Sequence, residues 1–201
     1  MNHTTSHRFT RNTLGLIVAA TAVVSLASCG SRGSTKAAAS AQTELDAVKA
    51  RLATYTAGDA ALAADLKTFD TLDYDVFSNQ KWDRLKESHA ADVKVVWPDG
   101  HFTTGIDKHI EDLKQLFVHA PDARIKEHPV AFGSGNKTIV EGVFEGTFTK
   151  PMPDGKGSFI QPTGKAFKMP MATIGFWKDG VMYEEHLFWD NATYAKQIGL
   201  T

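Results

Sequence analysis

Three features that would each indicate a particular class of protein are scarce or absent: cysteine pairs, a membrane-spanning segment and an excess of basic residues. The sequence contains one cysteine, Cys29, so no intramolecular disulfide can form. Its apolar N-terminal segment, residues 14–27, is shorter than the roughly 20 residues that a membrane-spanning helix needs. Without the first 28 residues, the chain has 20 basic and 23 acidic residues. This balance excludes the basic surface expected of a protein that binds nucleic acid.

The N-terminal residues have the pattern of an export signal. Arg8 and Arg11 precede the apolar segment 14–27, whose length is typical of a signal peptide. The tetrapeptide LASC, which ends at Cys29, resembles the bacterial lipobox, whose cysteine is lipidated and becomes the mature N-terminus. Gly30, in place of an aspartate, is the pattern associated with outer-membrane sorting. We therefore expect an exported protein, anchored to the bacterial cell envelope through a lipid on Cys29, in the outer membrane if the cell has one. The alternative is an ordinary signal peptide with a cysteine by chance.

Composition divides the rest of the chain into a linker, an extra helix and one domain. Small polar residues up to position 41 are typical of a flexible tether. Gly58 is expected to end the following helix, and Asp59 to cap the next one. The expected segments are a signal peptide at 1–28, the lipidated cysteine and tether at 29–41, an extra helix at 42–58, and a folded domain at 59–201.

The order of elements in the domain indicates an α+β fold. Apolar spacing predicts helices at 60–77, from 82 to about 92 and from 105 to about 120, whereas residues after 123 read mainly as strands. Residues 150–164, rich in proline and glycine, are predicted to form a long loop. We expect a mainly antiparallel sheet, curved, with helices on its concave side. Such a layout leaves a conical cavity, which is the default place for a ligand.

A hairpin near the C-terminus carries the first candidate site. Strand-forming stretches flank Lys178-Asp179-Gly180, which predicts a tight turn. Strict alternation along the second strand would place Glu184, His186 and Asp190 on one face. The opposite face would be mostly apolar and aromatic, with Val181, Tyr183, Glu185, Leu187 and Trp189.

The apolar neighbours of these ionisable residues favour a pocket over the alternative, an ordinary solvent-exposed strand face. Met182 and Phe188 lie on the same predicted face and would contribute to the pocket wall. Trp97 is a further candidate for the wall. His101 follows a turn and is a candidate for the rim, although a solvated turn histidine is the simpler alternative.

Metal binding and cofactors are not predicted. The histidines that follow Cys29 show no HExxH or other close ligand spacing. A P-loop is excluded at Pro162–Lys165, because the glycine spacing is wrong and Ala166 replaces the required serine or threonine. The six histidines that follow Cys29 are His89, His101, His109, His119, His128 and His186.

Eight short motifs, in order between residues 60 and 200, resemble the SnoaL-like polyketide cyclase and ester cyclase group of the NTF2-like superfamily. They are Trp82–Glu87, VKVVWPDG at 93–100, GID at 105–107, Pro121-Asp122, GTFT at 146–149, PTGK at 162–165, KDG at 178–180 and WDNATYAKQIGL at 189–200.

The resemblance implies an NTF2-like, cone-shaped α+β barrel, a fold whose members commonly form dimers through the outer face of the sheet. It also implies that the aspartate before the last helix, here Asp190, serves as acid/base in members that close a ring by aldol condensation. Such chemistry requires a pocket dry enough to raise the pKa of a carboxyl group. His186 and Glu184 are candidates by strand alternation, not by the family pattern.

Three functions are open on these grounds. The first is a membrane-anchored domain that binds a small, largely apolar molecule without established catalysis. The second is a cyclase, isomerase or hydrolase that uses Asp190 as base and His186 as its partner. The third is an assembly module that uses the outer sheet face. An enclosed, desolvated Asp190 would favour the enzyme, whereas an Asp190 that caps the last helix or faces water would not.

Overall fold

A computed structural model describes residues 33–200. The expected signal peptide and lipidation site lie outside these residues. The chain divides into two units, Met1–Asp46 and Ala47–Thr201.

The secondary-structure elements, in chain order, are α1 (Gly33–Thr71), a π-helical turn (Leu72–Phe77), a 3-10 helix (Trp82–Glu87), β1 (His89–Val96), β2 (Phe102–Thr104), α2 (Ile106–His119), β3 (Arg124–Ile125), β4 (Val130–Ser134), β5 (Lys137–Thr147), β6 (Met152–Pro153), β7 (Phe159–Ile160), β8 (Ala166–Lys178), β9 (Val181–Phe188) and α3 (Asn191–Gln197).

The first helix is longer than the sequence predicts. The expected break at Gly58 and the cap at Asp59 are wrong, because α1 runs through both. A glycine inside a helix costs only about 1 kcal/mol relative to alanine, and alanines surround this one. The described part of the expected tether, residues 33–41, is also helical. No helix in residues 33–200 is both long and apolar enough to cross a bilayer.

The helix predicted from 82 to about 92 ends earlier than expected, and the prediction is wrong from residue 88 onward. A short 3-10 helix ends at Glu87, and β1 begins at His89. Strand pairing explains the difference, since His89 lies opposite Met182 in the neighbouring strand and both side chains are buried. Tertiary pairing overrides the helical spacing of the local sequence here.

A seven-stranded sheet forms the body of the fold, in the order β2-β1-β9-β8-β5-β3, with β4 also paired to β5. All neighbouring strands are antiparallel except β1 and β9, which are parallel. The prediction of an α+β fold with a mainly antiparallel sheet is therefore confirmed. The predicted loop 150–164 is only partly irregular, because it contains the short β6–β7 pair.

The hairpin between β8 and β9 is confirmed, but the alternation expected after it is wrong. Asp179 and Gly180 both have positive φ, 53° and 80°, as a tight turn of this kind requires. In the register of the pair, Phe176 lies opposite Glu184 and Trp177 opposite Met182, so Tyr183 has no opposite residue. Tyr183 is therefore a β-bulge, which reverses the facing of every later residue in the strand.

Candidate functional site

The bulge determines which residues of β9 face the interior. Met182, Glu185 and Leu187 are buried, with 0%, 4% and 5% of their surface exposed. Phe188 is exposed, and the side chains of Glu184 and His186 are about one quarter exposed. The inward-facing carboxylate is therefore Glu185 and not the predicted Glu184.

A cavity of about 150 Å³ lies between the helices and the sheet. Most of its wall is apolar or aromatic, and the buried polar groups that reach it are few. Its lining residues are Leu72, Asp73, Phe77, His89, Trp97, His109, Leu113, Leu116, Ile125, Phe144, Met169, Met171, Thr173, Glu185, Leu187, Trp189, Asn191 and Tyr194.

Three buried ionisable side chains meet in the wall of this cavity. Oε2 of Glu185 lies 3.3 Å from Nε2 of His109 and 3.6 Å from Nε2 of His89. The three residues come from β9, α2 and β1, and each is at most 4% exposed. We call His89, His109 and Glu185 the buried triad. Such a group can hold a proton or a cation next to an apolar ligand.

The orientation of His89 follows from its contacts. Nδ1 of His89 lies 2.9 Å from Oγ of Ser88 and 3.3 Å from the carbonyl oxygen of Leu85. The Ser88 hydroxyl is itself placed to donate to that carbonyl. A hydrogen on Nδ1 would have both of these oxygens as acceptors, and in that tautomer the lone pair of the neutral ring is on Nε2, facing Glu185.

Burial and charge act together on the buried triad. Desolvation lowers the pKa of His109, because the interior penalises the charged imidazolium, and the nearby carboxylates of Glu185 and Asp112 offset this only in part. Burial alone would raise the pKa of Glu185, but the two adjacent imidazoles outweigh it and hold this pKa below its usual range. Both shifts favour an anionic carboxylate beside a neutral imidazole.

A second buried ion pair lies at the cavity wall formed by the π-helical turn. Nε2 of His128 donates to Oδ2 of Asp73 at 2.8 Å, and Nδ1 donates to Oδ1 of Asp70 at 2.7 Å. Asp73 lines the cavity, whereas the His128 side chain, 4% exposed, lies behind it. Both ring nitrogens of His128 are thus bonded to carboxylates, and these bonds tie His128 to the π-helical turn that forms this part of the wall.

Asp190 lies outside the cavity. It is exposed and forms the N-cap of α3, where its side chain accepts hydrogen bonds from the Ala192 amide at 2.9 Å and from the Thr193 hydroxyl at 2.6 Å. These bonds hold the pKa of the Asp190 carboxyl below its usual value. The enclosed, desolvated placement expected for Asp190 is therefore wrong, and capping accounts for its contacts.

The other residues predicted on that strand face also lie away from the cavity. Nε2 of His186 is 2.9 Å from Oε1 of Glu184, which also accepts a bond from Lys94 at 3.0 Å. Met182 is buried in the core but does not line the cavity, and Phe188 is on the outer face. The prediction that these four side chains share one pocket-facing side is wrong, because the bulge separates Met182 from the others.

The two candidates from the β1–β2 turn are placed differently. Trp97 lines the cavity, and its ring is 6.2 Å from that of Trp189 in an edge-to-face arrangement. His101 is exposed, stacks on Trp97 with ring centroids 5.9 Å apart, and contacts Asp99. His101 therefore supports a wall residue without lining the cavity.

Sequence reasoning missed Glu185, His89 and His109 as site residues. Glu185 could have been noticed, because it is the only charged residue on a predicted face that is otherwise apolar and aromatic. His89 was assigned to a helix that ends before it, and His109 was one histidine among six. No local signal brings these three residues together, because they lie on three separate elements.

The fold and the cavity together indicate the structural class of this protein. An antiparallel-dominated, curved sheet with helices and a cavity between them is the arrangement of the NTF2-like α+β fold. A solved protein with a ketosteroid isomerase-like fold, from Catenulispora acidiphila DSM 44928, aligns with a TM-score of 0.51 at 18% identity, over 63% of this chain and 88% of its own.

Residues 68–198 match the family described as SnoaL-like polyketide cyclase, so the chain belongs to that family. A SnoaL-like polyketide cyclase structure from Jannaschia sp. CCS1 aligns at 18% identity with a TM-score of 0.61, over 69% of this chain and 94% of its own. The structure of IdmH from Streptomyces antibioticus aligns at 22% identity with a TM-score of 0.59, over 67% of this chain and 98% of its own. These likenesses show the fold alone. None of the curated proteins compared with the chain matches it.

Proposed function

We propose that this protein is a lipid-anchored SnoaL-like domain that binds a small, largely apolar molecule with one polar group in its cavity. The observation that carries the proposal is a mainly apolar cavity with the buried triad in its wall. An apolar wall supplies affinity, and a few fixed polar groups orient the ligand.

The size of the cavity limits the ligand. An apolar cavity of about 150 Å³ in another protein holds benzene. The present cavity has about the same volume. Single-ring compounds such as acetophenone and phenol are therefore suitable probes, because each combines an aromatic ring with one oxygen.

A cavity-filling substitution tests ligand binding. Leu116 lines the cavity, so Leu116→Trp should occupy part of the space and abolish binding of acetophenone and phenol in calorimetric titrations. Val118→Trp is the matched control, because Val118 is on the same helix but exposed and outside the lining. The proposal is wrong if the unmodified protein binds neither probe, or if Leu116→Trp binds them as tightly as the control.

The membrane anchor is supported by the order of basic residues, apolar segment and lipobox-like tetrapeptide before Cys29. Cys29→Ala should move the protein from the detergent phase to the aqueous phase in a detergent phase-separation experiment with whole cells. Ser31→Ala, just outside the tetrapeptide, should not. An unchanged distribution of Cys29→Ala would remove the anchor from the proposal.

A second candidate function is an enzyme that acts on a carbonyl or ester compound. The presence of a buried carboxylate and two imidazoles beside an apolar cavity favours it, and the position of Asp190 does not. In deuterated water, the protein should accelerate exchange of the acetophenone methyl protons, measured by NMR, and Glu185→Gln should slow that exchange. Asp190→Asn should leave the rate unchanged. Exchange at the buffer rate with the unmodified protein would exclude this candidate for acetophenone.

Self-association through the outer sheet face is also part of the proposal. Phe102, Tyr183 and Phe188 are exposed aromatic residues on β2 and β9. Covering such residues is a common source of affinity between subunits. The mass of the detergent-solubilised protein in sedimentation should correspond to a dimer, and Phe188→Glu should convert it to a monomer.

A further inference from the structure

The buried triad has the chemical composition of a transition-metal site. Two imidazole nitrogens and one carboxylate oxygen are the ligands of many catalytic zinc sites and of mononuclear iron sites. Here the three candidate ligand atoms lie within 4.8 Å of one another. They belong to His89 on β1, His109 on α2 and Glu185 on β9, so three packed elements hold them.

The distances suit a single ion. Zinc binds nitrogen and oxygen ligands at about 2.0 to 2.2 Å, so two ligands at a tetrahedral angle are about 3.4 Å apart. The Glu185 oxygen lies 3.3 Å from Nε2 of His109 and 3.6 Å from Nε2 of His89. Both distances are close to that spacing, and the three candidate ligand atoms lie within 4.8 Å of one another, so one ion between them could contact all three after side-chain adjustment.

Three polar atoms of the buried triad have no hydrogen-bond partner among residues 33–200. Nε2 of His89 and Oε2 of Glu185 are buried without a hydrogen bond. With the hydrogen of His89 on Nδ1, where the Ser88 hydroxyl and the Leu85 carbonyl can accept it, two electron-pair donors, Nε2 of His89 and Oε2 of Glu185, face each other at 3.6 Å. Such an arrangement is unfavourable in a dry interior, unless a cation lies between them.

The groups around the buried triad are of the kind that form hydrogen bonds to metal-binding histidines in other proteins. Histidines that bind metals usually donate their second ring nitrogen to a carbonyl or carboxylate. Nδ1 of His89 lies within hydrogen-bond distance of the Leu85 carbonyl and the Ser88 hydroxyl, which could accept in this way. Nδ1 of His109 and Oδ2 of Asp112 are both buried and unpaired, one helical turn apart on α2. A water molecule or a small rotation could join this donor to that acceptor.

We propose that His89, His109 and Glu185 bind one divalent first-row transition-metal ion such as Zn²⁺, through Nε2, Nε2 and the carboxylate. Mg²⁺ and Ca²⁺ are disfavoured, because they prefer sets made of oxygen ligands. All three residues line the cavity, so a remaining coordination position faces it. An oxygen atom of the bound small molecule would take that position. The metal site stands independently of which molecule the cavity holds.

The test uses the full-length protein in detergent, stripped of metal with a chelator and titrated with Co²⁺, whose visible absorption reports nitrogen and oxygen ligands. We expect one ion per chain, displaced by Zn²⁺. Glu185→Gln and His109→Asn should each weaken binding by more than about 100-fold, since loss of even an outer contact costs 10 to 100-fold. Acetophenone should change the Co²⁺ spectrum of the unmodified protein.

Matched controls separate this site from exposed side chains that bind metals weakly. Glu184→Gln and His186→Asn remove the same groups from the outer face of the same strand and should leave Co²⁺ affinity unchanged. If Glu185→Gln does not fold by circular dichroism, Glu185→Asp replaces it, because the shortened carboxylate should also weaken binding. Unchanged affinity in the triad variants, or loss in His186→Asn, would mean an adventitious ion only and overturn the proposal. Leu116→Trp should still bind Co²⁺, so a failure of ligand binding remains distinguishable.

Discussion

Met182 and Glu185 are both buried on the inner side of the sheet, although Glu185 is three positions after Met182 along β9. In a regular strand they would point in opposite directions. Tyr183 has no opposite residue on β8 and absorbs the extra position. This single bulge places Glu185 in the cavity wall and turns Glu184 and His186 outward.

The two neighbouring glutamates should respond very differently to charge reversal. Glu185→Lys would bury an ammonium group beside two imidazoles with no acceptor, and we expect a loss of about 3 kcal/mol or more in the free energy of unfolding. Glu184→Lys, at a partly exposed site next to Lys94, should cost less than about 1 kcal/mol. Urea denaturation of both variants measures the difference. Equal losses would contradict the bulge.

Gly175 should not tolerate a methyl group. A Cβ atom there would lie 2.7 Å from Sδ of Met182 and 2.8 Å from Oγ1 of Thr138, which accepts a hydrogen bond from Trp177. We expect Gly175→Ala to lower the free energy of unfolding by about 1 to 3 kcal/mol. Gly58→Ala is the control, because nothing lies within 4 Å of its Cβ position and alanine favours the helix. Thermal unfolding of both variants provides the comparison.

The His128 ion pair should make stability depend on pH. Burial works to lower the pKa of His128, but hydrogen bonds and charge from Asp73 and Asp70 outweigh it and raise this pKa above its usual value. Tyr74 also packs against the ring. A histidine whose pKa is raised on folding contributes its full stabilisation at pH values below its unfolded-state pKa of about 6.5. This stabilisation is lost as the pH rises through the folded-state pKa.

The measurement is the free energy of unfolding from urea denaturation between pH 6 and about 9. The free energy of unfolding of the unmodified protein should exceed that of His128→Gln at the acidic end, and this difference should shrink as the pH rises, whereas the lowered pKa values of His109 and His119 act in the opposite direction in both proteins. His101→Gln is the control, because His101 is an exposed turn residue. Parallel profiles for the protein and His128→Gln would contradict the assignment.

Asp190 should act as a helix cap. Asp190→Ala removes the acceptor for Ala192 and Thr193 and should lower the free energy of unfolding by about 1 kcal/mol. Asp190→Asn retains a capping oxygen and should cost only a few tenths of that amount. Both variants should bind acetophenone like the unmodified protein. A loss of binding in Asp190→Asn would restore Asp190 to the site.

Much of the fold could be predicted from local sequence patterns, whereas the site could not. The Asp179-Gly180 turn and the helix after Gly105 follow from local chemistry, and the structure contains both. The bulge at Tyr183 has no comparable signal, because a tyrosine suits a regular strand equally well. A one-residue error in register moved the predicted site to the wrong face, and Gly58 was assigned more helix-breaking strength than it has.

The parallel pairing of β1 with β9 has a consequence for how the protein is made. It joins Lys94 to Glu184, which are 90 residues apart. Closing so long a loop is entropically unfavourable and slow, so these strands are expected to dock late in folding. Nearly the whole domain must therefore be synthesised before its interior can close, and until then the three ligand residues stay hydrated and accessible to the solvent of whichever compartment the chain has reached.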